Sequence, residues 1–255
     1  MIQEMKIDVK GGVRFDVSKG DIVNMNGLTK MMFGLGWDVG SARTDVDGSA
    51  VLMENNKIIE EIYYGRKSSS NGSVQHSGDN LTGEGNGDDE QIHVYFDKLP
   101  SNINKVVFTT TVYTCGMTFR NVKNLFVRLV SDSGNHELLR YNVESNGEYM
   151  NHNGLIVCAL VKRDSVWHFV AIGEAMTGHT VSELSCNPLF IKLVDTNALL
   201  PKAVETKSKP ASTTHKHGIK SSPDKNKHNA KQEVKHEEHR NNPEKKKKKK
   251  FLGIF

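Results

Sequence analysis

Ten short runs rich in β-branched and aromatic residues, separated by Gly, Asn, Asp and Pro, occupy most of the first 195 positions of this chain. No long segment repeats its apolar residues at the 3.6-residue period of a helix. The runs span 22–25, 31–35, 46–53, 58–64, 92–96, 106–113, 126–130, 138–141, 155–161 and 166–172. Residues that supply turns bound them, so each reads as a strand. Residues 161–166 read as a hairpin tip, and short helices are expected at 119–124 and 181–184. In Ile92-His93-Val94-Tyr95-Phe96 and Phe126-Val127-Arg128-Leu129-Val130 a polar residue interrupts an apolar run, which suits strands covered on one face and partly on the other. Many strands and few helices predict an all-β fold, a two-sheet antiparallel β-sandwich over residues 1–195.

From about position 196 the composition changes. Residues 201–255 carry 16 Lys and Arg against 6 Asp and Glu, whereas residues 1–200 carry 18 against 24. The formal charge of +4 therefore describes neither part. A Lys- and His-rich stretch with scattered Pro buries too little to offset its conformational entropy, so 196–255 is expected to be a disordered basic tail. Its five histidines, His215, His217, His228, His236 and His239, lack a tight metal-binding spacing. It ends in six lysines and the apolar plug Phe251-Leu252-Gly253-Ile254-Phe255. Residues 245–255 suit an anionic membrane surface, where each Lys contributes about 1 kcal/mol, or a partner protein. Nucleic-acid readout is not expected, because no stacking aromatics are interleaved with the basic residues.

Three cysteines, Cys115, Cys158 and Cys186, cannot all pair within the chain. They are expected as buried free thiols in a reducing compartment. The N-terminal residues lack the apolar core of a signal peptide, and no run approaches the roughly 20 apolar residues of a membrane span. A cytoplasmic protein is expected, with the tail able to hold it at the inner face of the membrane.

Chemistry concentrates between Asp79 and Glu90. These twelve residues hold five carboxylates (Asp79, Glu84, Asp88, Asp89, Glu90), two Asn, one Thr and three Gly, with no basic residue. Two like charges about 4 Å apart repel by roughly 4 kcal/mol at an effective dielectric of about 20. Such a loop needs full solvation or a cation among its oxygens. Hard oxygen donors favour Ca²⁺ over zinc or copper, and glycines let backbone carbonyls turn inward as neutral ligands. An EF-hand is ruled out, since Leu81 and Gly83 fall at its third and fifth ligand places and Glu84 where Gly is required. A phosphate-cradling loop is ruled out by the missing Lys and by the carboxylates themselves. Asp38 and the pair Asp45 and Asp47 form a second acidic group. In a strand the latter two share a face.

Gly34-Leu35-Gly36-Trp37-Asp38, Asp45-Val46-Asp47-Gly48-Ser49-Ala50, His76 to Gly85 and Gly87-Asp88-Asp89-Glu90 together resemble the TerD family signature, in order and spacing. Residues 121–128 and 137–141 resemble its later strands, so the likeness covers roughly residues 13–180. The resemblance implies a calcium-binding β-sandwich linked to tellurium resistance, chemical stress and phage defence. Its implied metal donors are Asp38, Asp45, Asp47, Asp79, Asn80, Glu84, Asp88, Asp89 and Glu90, with the carbonyls of Gly83 and Gly85. Asn86 stands where the family often has an acidic residue, and Val46 and Gly48 replace a more usual Leu and Ala. The partners implied are calcium ions and other stress-response proteins.

No nucleophile is paired with a base. His76 reads as a hydrogen-bonding support of the loop, and Ser41, Ser49 and Ser77 lack the Gly-x-Ser-x-Gly setting of a hydrolase elbow. A non-enzymatic binding or scaffold module is therefore expected. The alternative is a metal-dependent hydrolase of phosphate esters or nucleotides.

Overall fold

A computed structural model describes residues 4–6, 15–39, 43–83, 87–131, 136–143 and 148–200. Among these residues thirteen strands form two sheets. The larger sheet runs, in spatial order, β1 (Glu4–Lys6), β3 (Ile22–Asn24), β13 (Val166–Met176), β12 (Gly154–Arg163), β9 (Lys105–Val112), β5 (Val46–Glu54) and β6 (Lys57–Ile62). The smaller runs β2 (Phe15–Asp16), β11 (His136–Asn142), β10 (Val122–Ser131), β4 (Lys30–Val39), β8 (Glu90–Tyr95) and β7 (Val74–His76).

All ten expected strands are present. The additional β1, β2 and β7 are two or three residues long, too short to show an alternation. Pairing is antiparallel except at two edges, where β1 runs parallel to β3 and β2 parallel to β11. The expected hairpin tip joins β12 to β13 through Asp164 and Ser165, with φ of 49° and 66°. Two consecutive left-handed residues make the turn whose twist matches that of the strands it joins. Of the expected helix at 119–124, only a 3₁₀ turn, Phe119–Asn121, forms before β10 begins.

The two sheets face each other over one core. Phe33 of β4 stacks on Phe108 of β9, with ring centroids 4.4 Å apart and planes 8° from parallel. In β8 the alternation is strict: Glu90, Ile92 and Val94 point inward, while Gln91, His93 and Tyr95 are half-buried. The larger sheet reads differently, because every residue of β9 is buried. Its second face lies under α1 (Val181–Ser185), α2 (Pro188–Leu193) and α3 (Thr196–Leu199). Leu184, Phe190 and Val194 pack there against Val51, Met53, Val107 and Ile156. The sandwich thus carries a third, helical layer beyond the two expected.

These helices are short, and capping defines them. Thr180 accepts from the Glu183 amide, Asn187 precedes Pro188 and accepts from the Leu189 amide, and Asp195 accepts from the Asn197 and Ala198 amides. Each cap contributes about 0.5–2 kcal/mol. With α3 formed and Leu200 buried, the described structure continues past the expected domain boundary at 195. The remainder of the expected tail, 201–255, lies outside the described residues. Lys105 ties the helical layer to the sheet. Its buried ammonium donates to the carbonyls of Val194 and Asn55 and to Asn56 Oδ1. Burial pulls this amine down to about 8, opposed by Asp195.

One cysteine expectation is corrected. Cys158 is a buried free thiol, but Cys115 and Cys186 are exposed. Cys115 lies in the turn just beyond β9, and Cys186 at the end of α1, where the apolar stripe has already turned inward. No helix among the described residues is long and apolar enough to cross a membrane.

Candidate metal centre

The centre begins with a shortage of hydrogen bonds. β6 pairs with β5 only as far as Ile62 opposite Ala50, so the earlier part of β5 has an open edge at Gly48. Two side chains stand in for the missing strand. Glu90 Oε2 accepts from the Gly48 amide at 2.7 Å, and His76 Nε2 lies 3.1 Å from the Gly48 carbonyl oxygen. His76 Nδ1 accepts from the Gly78 amide at 3.0 Å, which puts the ring proton on Nε2, facing Gly48. Both side chains are buried, as satisfied strand-edge substitutes must be. The supporting role expected for His76 matches this geometry.

Beside this clamp stand Asp45, just before β5, Asp47 within it, and Asp79 in the loop after β7. One carboxylate oxygen from each lies within 4.8 Å of the others. Asp47 is 4% exposed, and Oδ1 of both Asp45 and Asp47 is buried with no hydrogen-bond partner. No ion pair among the described residues reaches any of the three. Burial first, then the charges of Glu90, Asp45 and Asp79, push the Asp47 carboxyl up to about 8. Burial, Asp79 and Glu90 push Asp45 up to about 6. A buried carboxylate without a partner costs several kcal/mol, so such a group takes up protons or gains a cation. Three carboxylates and no nitrogen or sulfur donor fit a hard divalent cation such as calcium.

Of the other sequence-expected donors, Asp38, Asn80, Asp88 and Asp89 make hydrogen bonds within the fold. Asp88 receives Arg128 in a fork, Nε to Oδ1 at 2.6 Å and Nη2 to Oδ2 at 2.9 Å. In this arrangement Asp88 is the ion-pair partner of Arg128. Arg128 also reaches Glu137, which in turn holds Arg140. Hydrogen bonds from the two arginines outweigh burial and hold the Glu137 carboxyl below its ordinary range. Asp89 accepts from the Trp37 amide and from Asn80 Nδ2, while Asn80 Oδ1 accepts from the Thr82 and Gly83 amides. Burial raises the Asp89 carboxyl, opposed by the Trp37 bond. Asp38 is exposed and accepts from Asn124 Nδ2 at 2.6 Å. Glu84 and Gly85 lie outside the described residues.

Close approach explains two glycines of the signature. A methyl group on Gly34 would overlap the Asp88 carboxylate, and one on Gly83, which has φ of +57°, would overlap the Trp37 indole. Trp37 Nε1 donates in turn to the Thr44 carbonyl, just before Asp45. The loop is thereby laid against the sheets on both of its arms.

Three participants escaped the sequence reading. Arg128 is separated from Asp88 by 40 positions, and its one readable signal was the polar interruption of an apolar strand. Tyr64 and Tyr113 meet edge to face at the rim of the carboxylate group, centroids 6.3 Å apart. Burial and the Asp47 charge raise the Tyr64 phenol to about 12.

The TerD domain model matches residues 5–185. Stress response protein SCP2 of Bacillus subtilis (strain 168) is 39% identical over 190 residues, covering 67% of this chain and 92% of that protein. Tellurium resistance protein TerZ of Serratia marcescens is 37% identical over 170 residues, covering 62% and 86%. A crystal structure of a homologue of telluride resistance protein (TerD) from Streptomyces coelicolor A3(2) superposes with a TM-score of 0.54 at 20% identity, covering 64% of this chain and all of that one. That structural likeness supports the fold alone. The family match spans both sheets and the acidic centre: this chain belongs to the TerD domain family.

Proposed function

We propose that this protein is a calcium-binding module of the stress and tellurium-resistance response, with Asp45, Asp47 and Asp79 as side-chain ligands. The observation that carries the reading is the pair of buried carboxylate oxygens on Asp45 and Asp47 that have no partner, gathered with Asp79 within 4.8 Å. Divalent charge is what such a group lacks. The names of the relatives supply the physiological setting, resistance and stress response. Glu90 and His76 hold the β5 edge that carries Asp47, and the Arg128–Asp88 pair anchors the far arm of the loop. When bound, calcium supplies positive charge and rigidity to this pole of the sandwich. The protein then acts as a binding or scaffold component for other stress-response proteins, in the cytoplasm, with residues 245–255 available to a membrane surface or partner.

Thermal unfolding in millimolar calcium and in excess chelator tests the reading. At a ligand concentration about 100-fold above Kd, binding stabilises by about 2.7 kcal/mol. For a domain of this size that raises Tm by roughly 5–10 °C. Identical melting in both conditions, with no ion retained after gel filtration, removes the proposal.

A further inference from the structure

A cleft of about 220 Å³ opens next to the carboxylate group, lined by Asp47, Ser49, Tyr64, Thr111, Tyr113 and Ser182, among others. Asp47 belongs to both features, since it joins Asp45 and Asp79 and also lines the cleft. Tyr64 lies close enough to feel the charges of Asp47 and Asp79, and the Tyr113 amide donates to the Asp45 carbonyl at 3.0 Å. A cation held by the three carboxylates therefore borders this cleft.

Calcium takes about six to eight oxygens, more than three carboxylates supply when each binds through one oxygen. Loop carbonyls, water or a small oxygen ligand would supply the remainder, and charge selects the kind of ligand that can share the site. Asp45, Asp47 and Asp79, with buried Glu90 behind them, outweigh the two positive charges of one calcium ion. Among the described residues no Lys or Arg lines the cleft. A phosphate or carboxylate would be repelled, and an organic cation would compete with the metal. A neutral ligand with adjacent oxygens meets neither obstacle. Hydroxyls of Ser49 and Thr111 lie at its buried floor, the Tyr64 hydroxyl is hydrogen-bonded to Tyr113, and Tyr113, 48% exposed, offers a ring face. The volume is below the roughly 300–1,000 Å³ of clefts that enclose drug-sized ligands, and suits a single sugar ring.

We infer that this cleft binds a neutral vicinal diol, from a pyranose or a ribose ring, in concert with the calcium ion. The inference rests on the calcium reading above.

The test uses the full chain and begins with a calcium titration by calorimetry. Methyl α-mannopyranoside, methyl β-galactopyranoside and adenosine are then observed by saturation-transfer NMR, in calcium and in chelator. At least one is expected to bind in calcium, with affinity lowered tenfold or more by chelator. The glycosides and the nucleoside separate a pyranose source from a ribose source. Thr111→Val is expected to weaken the diol at least tenfold while changing calcium affinity less than twofold. Calcium binding with no diol binding overturns the inference and leaves the calcium reading standing. Diol binding indifferent to chelator overturns the coupling to the ion. Absence of calcium binding overturns both.

Discussion

The acidic pole contains two kinds of buried carboxylate, and they have opposite fates. Asp88, fully buried at the side chain, meets Arg128 in a two-bond fork. Asp45 and Asp47 keep oxygens with no partner at all. The first group carries its counter-charge within the fold, and the second has none among the described residues. On the proposed calcium reading, the anchored arm forms the loop and the uncompensated arm responds to the ion.

Substitution at Arg128 should break this contrast most severely. Arg128→Met leaves a buried Asp88 without its partner and should cost about 3–5 kcal/mol by urea unfolding, equally in calcium and in chelator. A loss seen only in chelator would mean that the ion and the arginine compensate each other, and the two groups would not be separate.

Asp47→Asn should act in the opposite sense, and pH sharpens it. The raised carboxyls of Asp47, about 8, and Asp45, about 6, lie above the ordinary value of about 3.9. A raised acid stabilises the fold fully below its unfolded value, and that contribution is lost as pH climbs through the folded one. In chelator, wild-type stability should therefore fall between about pH 4 and pH 8. The Asn variant should fall less steeply and be the more stable by on the order of 3 kcal/mol at pH 8. In excess calcium the ranking should reverse, because the variant has lost a ligand. Parallel pH profiles for both proteins would show that Asp47 is not uncompensated.

Gly34→Ala should have the smallest effect. Its methyl would press on the Asp88 carboxylate and displace the Arg128 fork, costing roughly 1–3 kcal/mol. Calcium affinity should stay within about threefold of wild type by calorimetry. A larger affinity loss would mean that the anchored arm feeds directly into the ion site.

Strands were legible because their signal is local. Alternation in β8 and the turn at Asp164-Ser165 depend only on neighbours in the chain. The helical layer was less legible, since α2 and α3 span six and four residues. Yet Asn187-Pro188 and Asp195 were readable caps in a region assigned to the end of the domain or to the tail. The solvent exposure of Cys115 and Cys186 could not be read from apolar neighbours, because it depends on where a turn and a helix end leave the core.

By itself the sequence determined ten of the thirteen strands among the described residues, the all-β class and the chemical character of the acidic pole, since periodicity, turn residues and side-chain oxygens are properties of short segments. Only the tertiary structure decided which carboxylates are compensated. That outcome depends on contacts across 40 to 52 positions, Arg128 to Asp88, Glu90 to Gly48 and Asp89 to Trp37, made when two sheets close over one core. Electrostatic energy depends on distance through space and on burial, and neither is written into the local order of residues.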